Sequence, residues 1–228
     1  MSKIRFSFLL SALLLLLSSC TKDGFDSFNN LAAISTFNAI STSKGFDIYI
    51  DNNRLNSYSE NFDYGTYISY QSIFPGNRLI SIVQPGFNLK RPLVSKPLKF
   101  EENKYYTLVL TGTQNIEYLL IEDEITPPER GKVSLRFIHL SPDSPELSLQ
   151  LDEEIPAQFA KFMYKEVSPF LEFDAGSIRA NIHSSNTNFK PINFEYTFLD
   201  QGIYTVYVKG LSNVEDKAQQ VSYSVVKY

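Results

Sequence analysis

From residue 30 onward, apolar and polar residues alternate with a period of two. Phe46, Ile48 and Ile50 interleave with Asp47, Tyr49 and Asp51; Leu147, Leu149 and Leu151 with Ser148, Gln150 and Asp152; Ile178, Ala180 and Ile182 with Arg179, Asn181 and His183. Successive side chains of a strand point to opposite faces, so the pattern predicts strands with one apolar and one wet face, as in antiparallel sheets packed in two layers. Further strands are predicted over 34–40, 67–73, 78–83, 105–111 and 116–121, and over 133–140, 194–198, 203–209 and 221–226. Asp51-Asn52-Asn53, Pro75-Gly76 and Pro85-Gly86 supply turn chemistry between them. No segment has the pattern of a long helix; a short helical turn is expected over 157–164.

The pattern repeats. An offset of 100 sets Phe37-Asn38-Ala39-Ile40-Ser41 on Phe137-Ile138-His139-Leu140-Ser141, Tyr64 on Tyr164 and Pro75-Gly76 on Ala175-Gly176. The same offset brings Ile48 to Asp51 onto Ser148 to Asp152 with a one-residue shift of the apolar face. An offset of 98 sets Tyr106-Thr107-Leu108 and Gly112 on Tyr204-Thr205-Val206 and Gly210. Order and spacing persist over the whole length, which predicts two copies of one domain, 31–125 and 133–228, joined by a linker over 126–132 that Pro127-Pro128 stiffens. About seven strands in roughly 100 residues predict an all-β fold of two tandem antiparallel β-sandwiches, Ig-like or transthyretin-like. Such domains without a disulfide depend on their core, and the 18 Phe and 14 Tyr are its material.

The first 30 residues follow a different rule. Lys3 and Arg5 precede an apolar run over 6–17, which is too short to span a bilayer and has the length of a signal-peptide core. Leu17-Ser18-Ser19-Cys20 then resembles the bacterial lipobox, in which an aliphatic and two small residues precede a lipidated Cys. Cys20 is the only Cys in the chain. We therefore expect a signal peptide over 1–19, lipidation at Cys20, and a tether over 20–30. The membrane is then a partner through the acyl groups on Cys20, and stable anchoring follows from more than one chain. The expected location is the cell envelope, at the outer membrane, facing the periplasm or the cell surface. Lys22-Asp23 resembles the charged surface-export signals of Bacteroidota lipoproteins, a pattern that Gly24 breaks. Loss of Lys3 and Arg5 changes 21 basic against 25 acidic residues to 19 against 25, a net charge of −6. So acidic a body stands off an anionic membrane surface and offers no footprint for nucleic acid.

Candidate chemistry is sparse. With one Cys and two His, no disulfide framework and no Cys-rich zinc site can form, and no cofactor or metal is expected. His139, Ser141, Asp143 and Ser144 place an imidazole, hydroxyls and a carboxylate close together; a hydrolase would use His139 as base, oriented by Asp143, on a Ser nucleophile. A plainer reading makes Ser141-Pro142-Asp143-Ser144-Pro145 a turn whose carboxylate accepts local backbone N–H groups. The carboxylate runs Glu101-Glu102, Glu122-Asp123-Glu124 and Asp152-Glu153-Glu154 lack the spacing of a calcium loop and read as solvated charge. Tyr49, Tyr58, Tyr64, Tyr67 and Tyr70 crowd one part of the first copy, where Tyr49, Tyr64 and Tyr67 are candidates for a surface contacting protein or sugar, or else cover the core and its edges. The absence of Trp weakens the sugar reading.

The run Arg136-Phe137-Ile138-His139-Leu140-Ser141-Pro142-Asp143-Ser144-Pro145, with the strand over 147–152, the turn Ala175-Gly176 and the strand opening Tyr204-Thr205-Val206, resembles the domain of unknown function 4397 family. The first copy resembles it less, keeping Phe37, Ser41 and Tyr106-Thr107 but having Ala39 where His139 stands and Ser43 where Asp143 stands. The resemblance implies secreted or surface-anchored bacterial β-sandwiches, often in tandem, with no established activity. The expected function is a non-catalytic binding or interaction module of the envelope, with a protein or glycan partner; the alternative is a glycan-directed hydrolase built on His139 and Asp143.

Overall fold

The computed structural model describes residues 30–57, 61–87, 89, 91–152 and 158–228. The expected signal peptide, Cys20 and all of the tether but its last residue lie outside the described residues, as do Tyr58 and Glu153-Glu154.

Among the described residues every regular element is a strand. The first eight are β1 (Ala32–Asn38), β2 (Asp47–Ile50), β3 (Asn53–Arg54), β4 (Tyr67–Ile73), β5 (Gly76–Val83), β6 (Val94–Phe100), β7 (Tyr105–Thr111) and β8 (Glu117–Asp123). The second eight are β9 (Lys132–Leu140), β10 (Leu147–Leu151), β11 (Phe159–Phe162), β12 (Leu171–Asp174), β13 (Gly176–His183), β14 (Ile192–Phe198), β15 (Ile203–Lys209) and β16 (Ser222–Lys227). They make four sheets of matching order: β4-β1-β7-β8 with β3-β2-β5-β6, then β12-β9-β15-β16 with β11-β10-β13-β14. Ladders are antiparallel except at the centre of two sheets, where β1 runs parallel to β7 and β9 to β15.

The helical turn expected over 157–164 is instead strand β11 over its described middle. Phe159 and Phe162 are three apart, a spacing that imitates a helix face. They oppose Leu149 and Leu147, which are two apart. The extra residue is a bulge, with Lys161 at φ 60°, and it returns both rings to one face.

Ile34, Leu108, Ile48 and Ile80 join the first two sheets into one core, and Leu135, Val206, Leu149 and Ile182 join the last two into another. A third cluster, with Phe37, Val109, Ile138, Leu140 and Tyr207, packs sheet β4-β1-β7-β8 against sheet β12-β9-β15-β16. The result is four stacked layers. Phe37 stacks on Tyr207 with ring centroids 4.1 Å apart and planes 6° apart. The inner sheets therefore lack the wet face expected of them; Ser35, Thr107, Arg136 and Thr205, polar positions of the alternation, are buried between the sandwiches.

The ladders also correct the alignment of the two copies. Thr36 stands opposite Leu108, and Phe137 stands opposite Val206. Since Leu108 and Val206 correspond, Phe137 corresponds to Thr36, an offset of 101. A slip of one residue turns a side chain to the other face: Phe137 fills a sandwich core, whereas Phe37 packs between sandwiches. The offset is 100 at Gly76 and Gly176, which oppose Phe100 and Phe198. Gly112 and Gly210, at an offset of 98, close β7 and β15 at φ 114° and 96°, and a Cβ there would lie 2.1 Å from the Asn115 carbonyl oxygen and 2.4 Å from that of Gln220.

Candidate functional site

His139 lies near the end of β9 and is 0% exposed. The Ser141 N–H donates to its Nδ1 over 3.2 Å, and its Nε2 contacts the Pro145 carbonyl at 3.0 Å. One contact needs a lone pair and the other a proton, which fixes a neutral imidazole protonated on Nε2. Burial holds its pKa below the ordinary 6.5, against the opposing pull of the Pro145 carbonyl and Glu166. Asp143 accepts from the Ser212 N–H at 2.7 Å and the Asn213 N–H at 3.0 Å. Ser144 Oγ lies 2.6 Å from both Ser141 Oγ and Ser212 Oγ. The structure brings these four residues together as a clasp between the β9–β10 loop and the loop after β15. His139 has spent both nitrogens on backbone, and its partner is not Asp143.

The first copy has its own clasp at a position the sequence comparison missed. With the offset of 101, Asn38 rather than Ala39 stands where His139 does. Its Oδ1 accepts from the Ile40 N–H at 3.0 Å, two residues on, as Nδ1 of His139 does, and its Nδ2 donates to the Phe62 carbonyl and Ser43 Oγ.

The tyrosines are not gathered into one surface. Tyr49, on β2, is half-buried in an outer sheet, where it opposes Ser81. Tyr67, on β4, meets Tyr228 edge-on at 6.0 Å between the sandwiches, and burial raises its pKa well beyond the usual tyrosine range. Tyr64 lies under the Lys209 ammonium, 4.1 Å from the ring centroid, and burial raises its pKa too. Tyr164 is its counterpart: the Tyr164 hydroxyl is 3.0 Å from Thr111 Oγ1, on the strand corresponding to that of Lys209. Each sandwich thus lays one loop tyrosine over the end of the other's central strand.

Three carboxylates of the first two runs have charged partners. Glu101 and Glu122 pair with Lys104, while Asp123, adjacent to Glu122, turns inward to Arg136. Among the described residues no three His, Cys, Asp or Glu side chains converge as a metal site, and no helix is long and apolar enough to cross a membrane.

The feature that sequence reasoning missed is a groove of about 410 Å³ on the outer sheet of the second sandwich. Gln150 opposes Asn181, and Asn181 opposes Asn193, which makes a row of three amides across β10, β13 and β14. In the adjacent row Arg179 opposes Glu195, and the Asp152 N–H donates to the Arg179 carbonyl at 2.8 Å. The alternation places these residues on the wet face; the rows themselves follow from cross-strand register, which the sequence does not state.

The family described as "Domain of unknown function (DUF4397)" has a model that matches residues 32–150, from β1 to the last strand residue but one of β10. No curated protein matches the chain. A solved structure of a streptococcal virulence factor, described for alpha-glucan binding, is 13% identical, covers 79% of this chain and 92% of its own, and has a TM-score of 0.26. A family 26 carbohydrate-binding module from Eubacterium rectale, in complex with maltoheptaose, is 9% identical, covers 86% and 97%, and has a TM-score of 0.28. Scores this low leave the ligand to be argued from the chain's own residues.

Proposed function

This chain belongs to the domain of unknown function 4397 family, and from that premise we propose that it is a non-catalytic binding module held at the cell envelope by lipidated Cys20. The observation that carries the reading is His139. In the cluster at the end of β9 whose residue types suit hydrolysis, the imidazole is buried, neutral and bonded at both nitrogens to backbone, so it cannot take a proton from Ser141 without breaking the turn it holds. The open outer face is the complementary half: binding groups stand on a rigid stack of sheets rather than on the clasped loops. The anchor rests on the position of the only Cys, two serines after a leader-length apolar run.

The test has two arms. Cys20→Ala in the source organism should move the protein from the membrane to the soluble envelope fraction and abolish acyl labelling; retention with label would overturn the anchor. The full chain, immobilised and exposed to detergent-solubilised envelope, should retain a specific component without turning it over. Turnover in a hydrolase screen, abolished by His139→Ala in a protein that still melts cooperatively, would overturn the non-catalytic reading.

A further inference from the structure

We propose that the groove over β10, β13 and β14 binds an uncharged polyhydroxylated chain, an oligosaccharide, through the amide row Gln150, Asn181, Asn193 and the flanking row Asp152, Arg179, Glu195. This inference rests on the binding-module reading and gives it a face and a ligand class.

Each amide carries a donor and an acceptor, and the strand spacing of about 4.8 Å sets neighbouring amides side by side. Asn181 Nδ2 donates to Asn193 Oδ1. That bond polarises the pair head to tail, keeping an acceptor at Asn181 and a donor at Asn193 for adjacent hydroxyls, which both give and take hydrogen bonds. Arg179 brings a planar guanidinium and Asp152 and Glu195 bring carboxylates, of which Glu195 also accepts from the Ser177 hydroxyl at 2.6 Å. One guanidinium between two carboxylates is a poor site for a phosphate or a polyanion. The groove volume lies within the roughly 300–1,000 Å³ of ligand sites, and its sides are strands, so it runs open across the sheet.

The chain supplies its own control. The corresponding face of the first sandwich has the same ladders, with Tyr49, Ser81 and Ser95 in place of the amides and Leu79 and Pro97 in place of Arg179 and Glu195, while Asp51 keeps the carboxylate of Asp152. Ser81 and Ser95 bond to each other at 2.7 Å. A polar coat needed only for solubility would suit both outer sheets alike. Long hydrogen-bonding side chains in two rows occur on the second.

Calorimetric titration of the full chain in detergent with maltohexaose, cellohexaose, mannohexaose and xylohexaose tests the assignment, with hexagalacturonic acid as the charged comparator. At least one neutral hexasaccharide should bind saturably. Asn181→Ala combined with Asn193→Ala should weaken it about tenfold or more, and Leu79→Ala on the corresponding face should leave it unchanged. Because charge pairing is not the source of affinity, raising salt from about 50 to about 500 mM should change it less than about twofold. Absence of binding by every neutral probe, preference for the galacturonide, steep salt dependence, or binding that survives the double variant would each overturn the proposal. If the double variant still captures an envelope component as the unaltered chain does, the groove is wrong and the binding-module reading stands. If the unaltered chain captures nothing, that reading fails by itself.

Discussion

Arg136 on β9 reaches out of its own sandwich to Asp123 at the end of β8, with Nη1 2.6 Å from Oδ1 and the two side chains 2% and 0% exposed. Partners surround the ion pair on both sides. Thr107 Oγ1 and the Tyr70 hydroxyl each donate to Asp123 Oδ2 at 2.6 Å. Arg136 Nε donates to Thr205 Oγ1 at 2.8 Å and Nη2 to the Tyr228 hydroxyl at 2.6 Å, while the Phe170 ring lies 4.7 Å from the guanidinium carbon. Burial alone would lower the Arg136 pKa; Tyr228, Asp123 and Tyr207 reverse that and keep it charged. Beside Asp123, burial and the carboxylate raise the Tyr70 pKa, so its hydroxyl stays a donor.

The first prediction follows from that closure. Asp123→Ala leaves a buried guanidinium without its counter-charge and should cost about 3–5 kcal/mol in urea unfolding, whereas Arg136→Met with Asp123→Asn, which removes both charges, nearly keeps the volume and leaves an amide oxygen for Thr107 and Tyr70, should cost less. Equal losses in the two variants would show that the pair contributes little beyond its packing.

Architecture was legible where alternation and turn chemistry act locally. Ile48 and Ile50, Leu149 and Leu151, and Ile178 to Ile182 all lie on the faces expected of them, and Gly76 and Gly176 open corresponding strands. What was not legible depends on the third layer contact. Arg136, Thr107 and Thr205 read as wet because a single sandwich would wet them, and no local pattern says that a second sandwich covers that face. The same covering explains why Tyr64 and Tyr67 turn inward. Phe37 and Phe137 invited alignment because both are aromatic and both begin similar runs; only the ladders show that they face opposite ways. The amide row was hidden differently, since Gln150, Asn181 and Asn193 are distant in sequence and meet only through register.

The second prediction concerns pH. The folded pKa of His139 lies below its ordinary value, so between the two the unfolded chain binds the proton and the folded one does not. Stability should therefore be undiminished above about pH 6.5 and fall as pH drops from there through the folded pKa. His139→Asn, which copies the residue at Asn38, keeps an acceptor for the N–H two residues on and cannot titrate. The gap between the parent and this variant in urea midpoint should narrow from pH 8 to pH 5, and a constant gap would remove His139 from the titration.

A third prediction uses a bond present twice. The Glu101 N–H donates to the Tyr106 hydroxyl at 3.1 Å, and the Leu199 N–H to the Tyr204 hydroxyl at 2.9 Å, each reaching five residues along the chain to pin the turn before a central strand. Tyr204→Phe retains the ring packed against Phe198 and leaves that N–H unpaired, so it should cost about 1–3 kcal/mol. Tyr106→Phe should cost a similar amount. A neutral result at both would mean that water replaces the hydroxyl.

Lys209 gives the last prediction. It ends β15 with 7% exposure, its ammonium held by Ser222 Oγ at 3.1 Å and by the face of Tyr64, and none of the ion pairs among the described residues includes it. Burial lowers its pKa below the usual lysine value. A charge that loses water and gains one hydroxyl and one ring is under-compensated, because a cation over a ring recovers only about 0.5–2 kcal/mol. Thr111, the corresponding residue of the first sandwich, meets Tyr164 with a neutral hydroxyl instead. Lys209→Met keeps an unbranched apolar stem against Tyr64 and Gly65 and discards the charge, so it should raise stability by on the order of 1 kcal/mol at pH 7. Since the folded pKa is the lower one, the parent regains stability as pH rises through it toward the ordinary lysine value, and the advantage of the variant should shrink over that window. Thermal melts of the two proteins at pH 7 and at pH 10 measure both effects. A variant less stable at pH 7 would show that the Tyr64 ring and Ser222 more than offset the lost hydration.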